Sequence, residues 1–236
     1  ADVCFFPHYD APALAMPARS VVTVHDLIHF KVPEAFAAWR RAAAGVLLQR
    51  GVTAAARVIA GSDATRRDLV ERIPAVADRV VVIPNGVAPF FGAGEESAAG
   101  PGIDGPYLLC VGNRKPHKNL LGAVETLARL AADRPELRLV IVGETYPGWS
   151  AVLERAEALG VRGRIVELSG VRDGRLRALY AGCEARLFLS LYEGFGLPVL
   201  EAMAGGAPVG GSDRSSIPEV VGSAGLLGGP PDPAAA

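Results

Sequence analysis

The sequence predicts an α/β protein built on two parallel sheets, and three observations lead there. Short β-rich runs alternate with longer amphipathic ones along the chain, the pattern of βα units feeding a parallel sheet. Several short runs are apolar at every position, such as 137–142, as expected of strands covered by helices on both faces. A glycine- and proline-rich stretch, 85–106 (NGVAPFFGAGEESAAGPGIDGP), interrupts the alternation and reads as a linker. Residues 1–84 then form the latter part of one domain and 107–236 most of a second.

The elements follow in order. Strands are expected near 3–6, 20–25, 57–60 and 79–83, then near 107–111, 137–142, 164–168, 185–190, 207–210 and 224–227. Between them, Ser62 stands where an N-cap is needed for a helix running to Arg72. Leu120, Val124, Leu127 and Leu130 recur at helical spacing from Asn119 to Ala132. Asp173 is placed to cap a helix ending at Gly182, and Pro198 suits the first turn of one running to Ala204. Asn85-Gly86 is a turn signal at the head of the linker. The first piece has too few strands for a complete doubly wound sheet, so strands are expected to be missing ahead of it. Ala1 is not an initiator, and the chain closes on Gly229-Pro230-Pro231-Asp232-Pro233 and three alanines, so both ends are expected to be cut.

Composition narrows the class. A net charge of −1 gives no global electrostatic case for nucleic acid. No apolar run reaches the roughly 18 residues of a membrane span. A few basic or apolar side chains on one helix would still suffice for peripheral contact at the inner face of a membrane. The widely separated Cys4, Cys110 and Cys183 lack metal-ligand spacing and read as small buried hydrophobes of a cytoplasmic protein.

The most informative segment runs from Ser190 to Ala202, SLYEGFGLPVLEA. A strand leads through a glycine-bearing turn into a helix, and open α/β sheets bind ligands at the carboxyl ends of their strands. Glycines 194 and 196 permit close backbone approach, and a helix N-terminus offers free N–H groups to a phosphate. Glu193 and Glu201 are carboxylates able to accept hydrogen bonds from vicinal sugar hydroxyls; the plain alternative is a solvated loop residue and a helix-surface charge. A second cluster, Gly112-Asn113-Arg114-Lys115-Pro116-His117-Lys118-Asn119, sets three cations between a strand and a helix, a plausible diphosphate site. His25 and Asp26 fall at the carboxyl end of another strand. His8 is a weaker candidate there, and His29 reads as loop.

These segments resemble the family 4 retaining glycosyltransferases of GT-B fold. The resemblance rests on EGFGLPVLEAMA with its E-x7-E spacing, together with TVHDL, VIPNGV, VGNRKPHKNL, LSG and SDRSSIPEVVG, in the family's order over almost the whole chain. The tone of the N-terminal segments is similar to the mannosyl- and rhamnosyltransferase-type members. The resemblance implies two Rossmann-like domains facing across a cleft, the N-terminal one truncated here. It implies transfer of a hexosyl unit, with retention, from a nucleoside-diphosphate sugar to a hydroxyl of a polysaccharide, lipid-linked or small-molecule glycan.

Carried over by motif, Glu193 lies by the donor sugar and Glu201 on the ribose, with Gly194, Phe195, Gly196 and Leu197 along the sugar and diphosphate. Lys118 matches the phosphate-binding lysine. Many members have arginine directly after the glycine, where this chain has Asn113; Arg114, one place later, is a candidate substitute. His25 is implied near the acceptor or donor sugar, its structural alternative being a hydrogen bond to backbone. Asp26 is implied to support the loop or bind acceptor, and Glu219 to lie near the donor pocket or cap a helix. With no D-x-D pattern, cationic side chains are expected to replace a divalent ion, and neither metal nor cofactor is expected. The sequence also lacks a P-loop and a G-x-S-x-G elbow. Alternatives left open are a nucleotide-sugar 2-epimerase on the same fold, a non-catalytic nucleotide-sugar-binding remnant, and a nicotinamide-dependent domain lacking its fingerprint.

Overall fold

The computed structural model describes residues 2–10, 19–92 and 100–229. Ala1, residues 93–99 of the expected linker and the proline-rich tail at 230–236 lie outside them. The chain divides into two compact units, one of Ala1–Gly86 with Tyr192–Gly196, the other of Val87–Leu191 with Leu197–Ala236.

In the first unit, β1 (Cys4–Phe6), β2 (Ser20–Val24), β3 (Arg57–Ala60) and β4 (Val80–Val82) form a parallel sheet in that order. Between β2 and β3 lie α1 (Ile28–Lys31) and α2 (Ala38–Ala54), and α3 (Asp63–Arg72) links β3 to β4. The core gathers Val22, Val24, Leu48, Val52, Val58 and Leu69, contributed by strands and helices alike. Each such side chain contributes about 1.5–3 kcal/mol by leaving water. Ser62 caps α3 as expected, its hydroxyl accepting from the Thr65 N–H at 3.0 Å. His29, expected in a loop, lies instead within α1, its ring against Phe36.

The second unit carries β5 (Tyr107–Val111), β6 (Arg138–Val142), β7 (Ile165–Leu168), β8 (Ala185–Phe188), β9 (Val209–Ser212) and β10 (Leu226–Gly228). They form one parallel sheet in the order β10-β9-β8-β5-β6-β7. Five helices, α4 (Leu120–Leu130), α5 (Trp149–Ala158), α6 (Asp173–Gly182), α7 (Leu197–Ala204) and α8 (Ile217–Val221), lie among the described residues of this unit. The continuous apolar runs have a direct explanation. Tyr107 and Leu109 of β5 and Val140 and Val142 of β6 join one core, while Leu108, Cys110, Leu139 and Ile141 join another. Successive side chains point to opposite faces, and both faces are buried.

Some local expectations are corrected. Asp173 is the first residue of α6 rather than its cap, which is Arg172. Asn85-Gly86 makes no turn: the chain runs irregularly there, and Gly86 is not in the left-handed region. The following turn, Pro89–Phe91, buries Phe91 edge-on to Tyr180, 6.0 Å between centroids, in the second unit's core.

Candidate functional site

In the second sheet β5 lies between β6 and β8. The chain progresses outward from β5 through β6 to β7, and in the opposite direction from β8 through β9 to β10. The ends of β5 and β8 therefore flank a topological switch point, where such sheets bind ligands. The 112–119 segment leaves β5 at that point, and the segment leading to α7 leaves β8.

Glycine is required where the β5 segment begins. Gly112 has φ 138°, and a β-carbon on Gly143 would overlap the Gly112 carbonyl oxygen. Lys118 folds back over Gly112, and its Nζ lies 5.5 Å from the Phe188 ring centroid on β8. The segment closes at Asn119, whose left-handed backbone and side-chain oxygen, accepting from the Gly122 N–H at 3.3 Å, start α4.

The other cations of this segment behave differently. Arg114 is buried, with its Nη1 3.0 Å from Glu167 and donating to the Thr145 hydroxyl at 2.6 Å. It is held in an ion pair with Glu167 rather than turned toward β8. Glu167 also accepts from Arg162 at 3.0 Å and from the Trp149 indole at 2.8 Å. Asn113 accepts from the Glu144 N–H at 3.3 Å, and Lys115 stands over the Tyr146 ring. Of the three, Lys118 is the one placed beside β8.

Glu201 projects from α7 and accepts from the Tyr180 hydroxyl at 2.9 Å. Tyr180 is fully buried, and that burial, reinforced by the Glu201 charge against an opposing effect of Arg186, pushes its phenol above the usual range. The carboxylate is thus oriented on one side by a proton that stays put at neutral pH. Leu197 and Pro198 open α7, Leu197 exposed. Glu219 sits in the first turn of the short α8, with Ser216 at the cap position. Tyr180 and Glu167 gave no signal in the sequence, because each acts through a partner distant along the chain.

The remaining candidates belong to the first unit. His25 follows β2, and its Nε2 donates to the Pro7 carbonyl at 2.8 Å. A carbonyl only accepts, so the neutral ring carries its lone pair on Nδ1. Asp26 accepts from the Ile28 N–H at 3.0 Å and so starts α1. Against this loop lies the Tyr192–Gly196 segment. A β-carbon on Gly194 would overlap the His25 carbonyl, and the Gly194 carbonyl accepts from Ser62 at 2.6 Å and Thr65 at 2.9 Å. The buried Tyr192 hydroxyl accepts from the Leu27 N–H at 3.2 Å and donates to Asp68 at 2.9 Å. Glu193 is half-buried, Phe195 lies beside Gly61, and Gly196 adopts φ 102°. His8 pairs with Asp10 at 2.7 Å and stacks 5.9 Å from His25.

Among the described residues, no group of three or more His, Cys, Asp or Glu side chains could hold a metal ion, and no helix is long and apolar enough to cross a membrane.

Comparison with known proteins gives the relationship. Residues 95–236 match the family model described as Glycosyl transferases group 1, and residues 2–89 match that of Glycosyltransferase Family 4. O-antigen chain mannosyltransferase B of Escherichia coli is 32% identical over 235 residues, covering 95% of this chain and 61% of that protein. D-inositol 3-phosphate glycosyltransferase of Acidothermus cellulolyticus is 33% identical over 198 residues, 78% of this chain and 44% of that one. This chain therefore spans less than two thirds of the length of either relative. Anabaena Alr3699/HepE, solved in complex with UDP and glucose, superposes with a TM-score of 0.76 at 21% identity, covering 98% of this chain and 65% of its own. The structural likeness shows the fold, GT-B, and with a family model matched over more than half of its length, the chain belongs to the glycosyl transferases group 1 family.

Proposed function

We propose that the protein takes part in transferring a hexosyl unit, with retention, from a nucleoside-diphosphate sugar to a hydroxyl of a glycan acceptor. One observation carries this reading: Lys118 and Glu201 stand on the two segments that leave β5 and β8 at the switch point of the second sheet. A cation for the diphosphate and an oriented carboxylate for the ribose hydroxyls are the two groups a nucleoside diphosphate needs. The relatives' names make mannosyl the first donor sugar to try.

In the proposed reaction the bond from C1 to the diphosphate oxygen breaks, and the acceptor oxygen bonds C1 on the same face. The acceptor proton passes to the departing diphosphate. Negative charge grows on that leaving group, and Lys118 stabilises it where it forms. His25, Asp26 and Glu193 are assigned by motif to the reacting sugar and the acceptor. Arg114, held by Glu167, is left out of the donor set. Neither metal nor cofactor is proposed.

Calorimetric titration with GDP, UDP and dTDP tests the site. One of them is expected to bind, and Lys118→Ala or Glu201→Ala to weaken it by about tenfold or more. A wild-type protein that binds none, or variants that bind as wild type does, would overturn the reading. Incubating donor without acceptor separates transfer from epimerisation, because an epimerase would convert the donor alone.

The finer location is also a proposal. α2 carries Trp39, Val46 and Leu47 exposed on its surface, with Arg40 and Arg50 exposed alongside them and no acidic residue in the helix. That combination suits peripheral contact with an anionic lipid surface. Co-sedimentation with phosphatidylglycerol vesicles should be lost in Trp39→Ser/Arg40→Gln; equal sedimentation of variant and wild type would refute it.

A further inference from the structure

Arg186 is the largest fully buried side chain among the described residues. It occupies the middle of the second sheet, on β8 opposite Leu109 of β5. Its neighbours are aromatic: the guanidinium carbon lies 4.8 Å from the Phe188 centroid and 5.6 Å from that of Tyr180. Among the described residues its polar partners are two backbone carbonyls rather than a carboxylate, and its Nε is buried without a hydrogen-bond partner. An unneutralised charge in such surroundings is costly, and a leucine or methionine would fill the space without that cost. Something other than stability therefore accounts for a cation at this position.

What it holds gives the answer. Nη2 donates to the Val111 carbonyl at 3.2 Å, and Nη1 donates to the Pro198 carbonyl. Val111 is the last residue of β5, immediately before the segment that carries Lys118. Pro198 lies in the first turn of α7, one turn ahead of Glu201. The two rings beside Arg186 also touch the site: Phe188 lies under Lys118, and Tyr180 holds Glu201. One side chain thus spans the gap between the two segments and sets a positive charge beneath them.

We propose that Arg186 is a positioning residue for a nucleoside diphosphate. It fixes the spacing at which Lys118 and Glu201 can engage one ligand, and its charge offsets the diphosphate that they bind. This rests on the donor-site reading above.

The test compares Arg186→Met and Arg186→Lys with wild type and Lys118→Ala, using calorimetry with GDP and UDP, the corresponding nucleosides, and thermal denaturation. Arg186→Met is expected to keep or raise Tm, weaken diphosphate binding about tenfold, and leave nucleoside binding within about twofold. Arg186→Lys, which keeps the charge but not the two-armed bridge, should recover part of the loss. If Lys118→Ala loses binding while Arg186→Met binds the diphosphate as wild type does, the role of Arg186 falls and the donor site stands. A lowered Tm in Arg186→Met with equal losses for diphosphate and nucleoside, unrelieved by lysine, would make Arg186 merely structural. Should wild type bind neither diphosphate, both readings fall together.

Discussion

Gly194 leaves no space for a β-carbon, because the carbonyl oxygen of His25 stands where that carbon would go. The loop bearing Glu193 and the loop bearing His25 and Asp26 are therefore in backbone contact. Gly194→Ala must push them apart, and overpacking of this kind costs about 1–3 kcal/mol. Thermal denaturation should show a lowered Tm, and activity should fall further than stability does. A variant with unaltered Tm and kcat/KM would show that the two loops need no such contact.

Ser62 performs two tasks with one hydroxyl, capping α3 and donating to the Gly194 carbonyl. Ser62→Ala removes both, for an expected loss of about 1–2 kcal/mol. Ser62→Gly should lose the side-chain bonds equally, so both variants are expected to melt early in chemical denaturation monitored by circular dichroism.

Tyr180→Phe deletes the hydroxyl that donates to Glu201 while keeping the ring in the core. Nucleoside-diphosphate affinity is expected to fall about three- to tenfold, with a change in Tm smaller than that of a core truncation. Calorimetry beside a melting curve separates the two effects. Unchanged affinity would mean that Glu201 needs no help from Tyr180.

Glu167 neutralises Arg114 and also receives Arg162 and Trp149. Glu167→Gln leaves the buried Arg114 guanidinium without a counter-charge, for an expected loss of about 3 kcal/mol. Arg114→Met/Glu167→Gln should recover much of it, since both charges are then gone. Equal stability of the single variant and wild type in urea would contradict the pairing.

Burial pushes the Cys110 thiol up to about 12 and Cys183 to about 11, in each case against the lowering effect of Arg186. The unfolded chain ionises these groups near pH 8.5–9 and the folded chain holds their protons, so stability is full below that pH and lost as pH rises through 11 to 12. The slope is about 1.4 kcal/mol per pH unit for each group titrating only when unfolded. Urea melts between pH 8 and 11 should show it, with a shallower decline in Cys110→Ala. At pH 8 both thiols should resist iodoacetamide, and the partly exposed Cys4 should react first.

Much of the architecture is legible from periodicity alone. Strands such as 57–60 and 107–111 emerge at their expected bounds, because an apolar run bordered by breakers specifies a buried strand locally. Ser62 is legible for the same reason, since a cap depends on the next three residues. Lys118 and Glu201 are proposed from motif, and the sheet order sets their segments at the ends of β5 and β8. Arg114 could not be placed this way. Its place between a strand and a helix suggests a diphosphate ligand, and its ion pair with Glu167, two strands away on β7, becomes visible once the sheet is assembled. Arg186 was equally hidden, because a charge inside an apolar strand reads as a surface position until the core around it is seen.

The first unit contains five residues, Tyr192–Gly196, that the chain reaches only after threading most of the second. A gene cut near Gly86 would therefore not yield a self-contained module. The released N-terminal piece would lack the glycine carbonyl that receives Ser62 and Thr65 and the phenol that joins Leu27 to Asp68. Shuffling the two halves among homologues would then succeed only when that pentapeptide comes from the same parent as the N-terminal half.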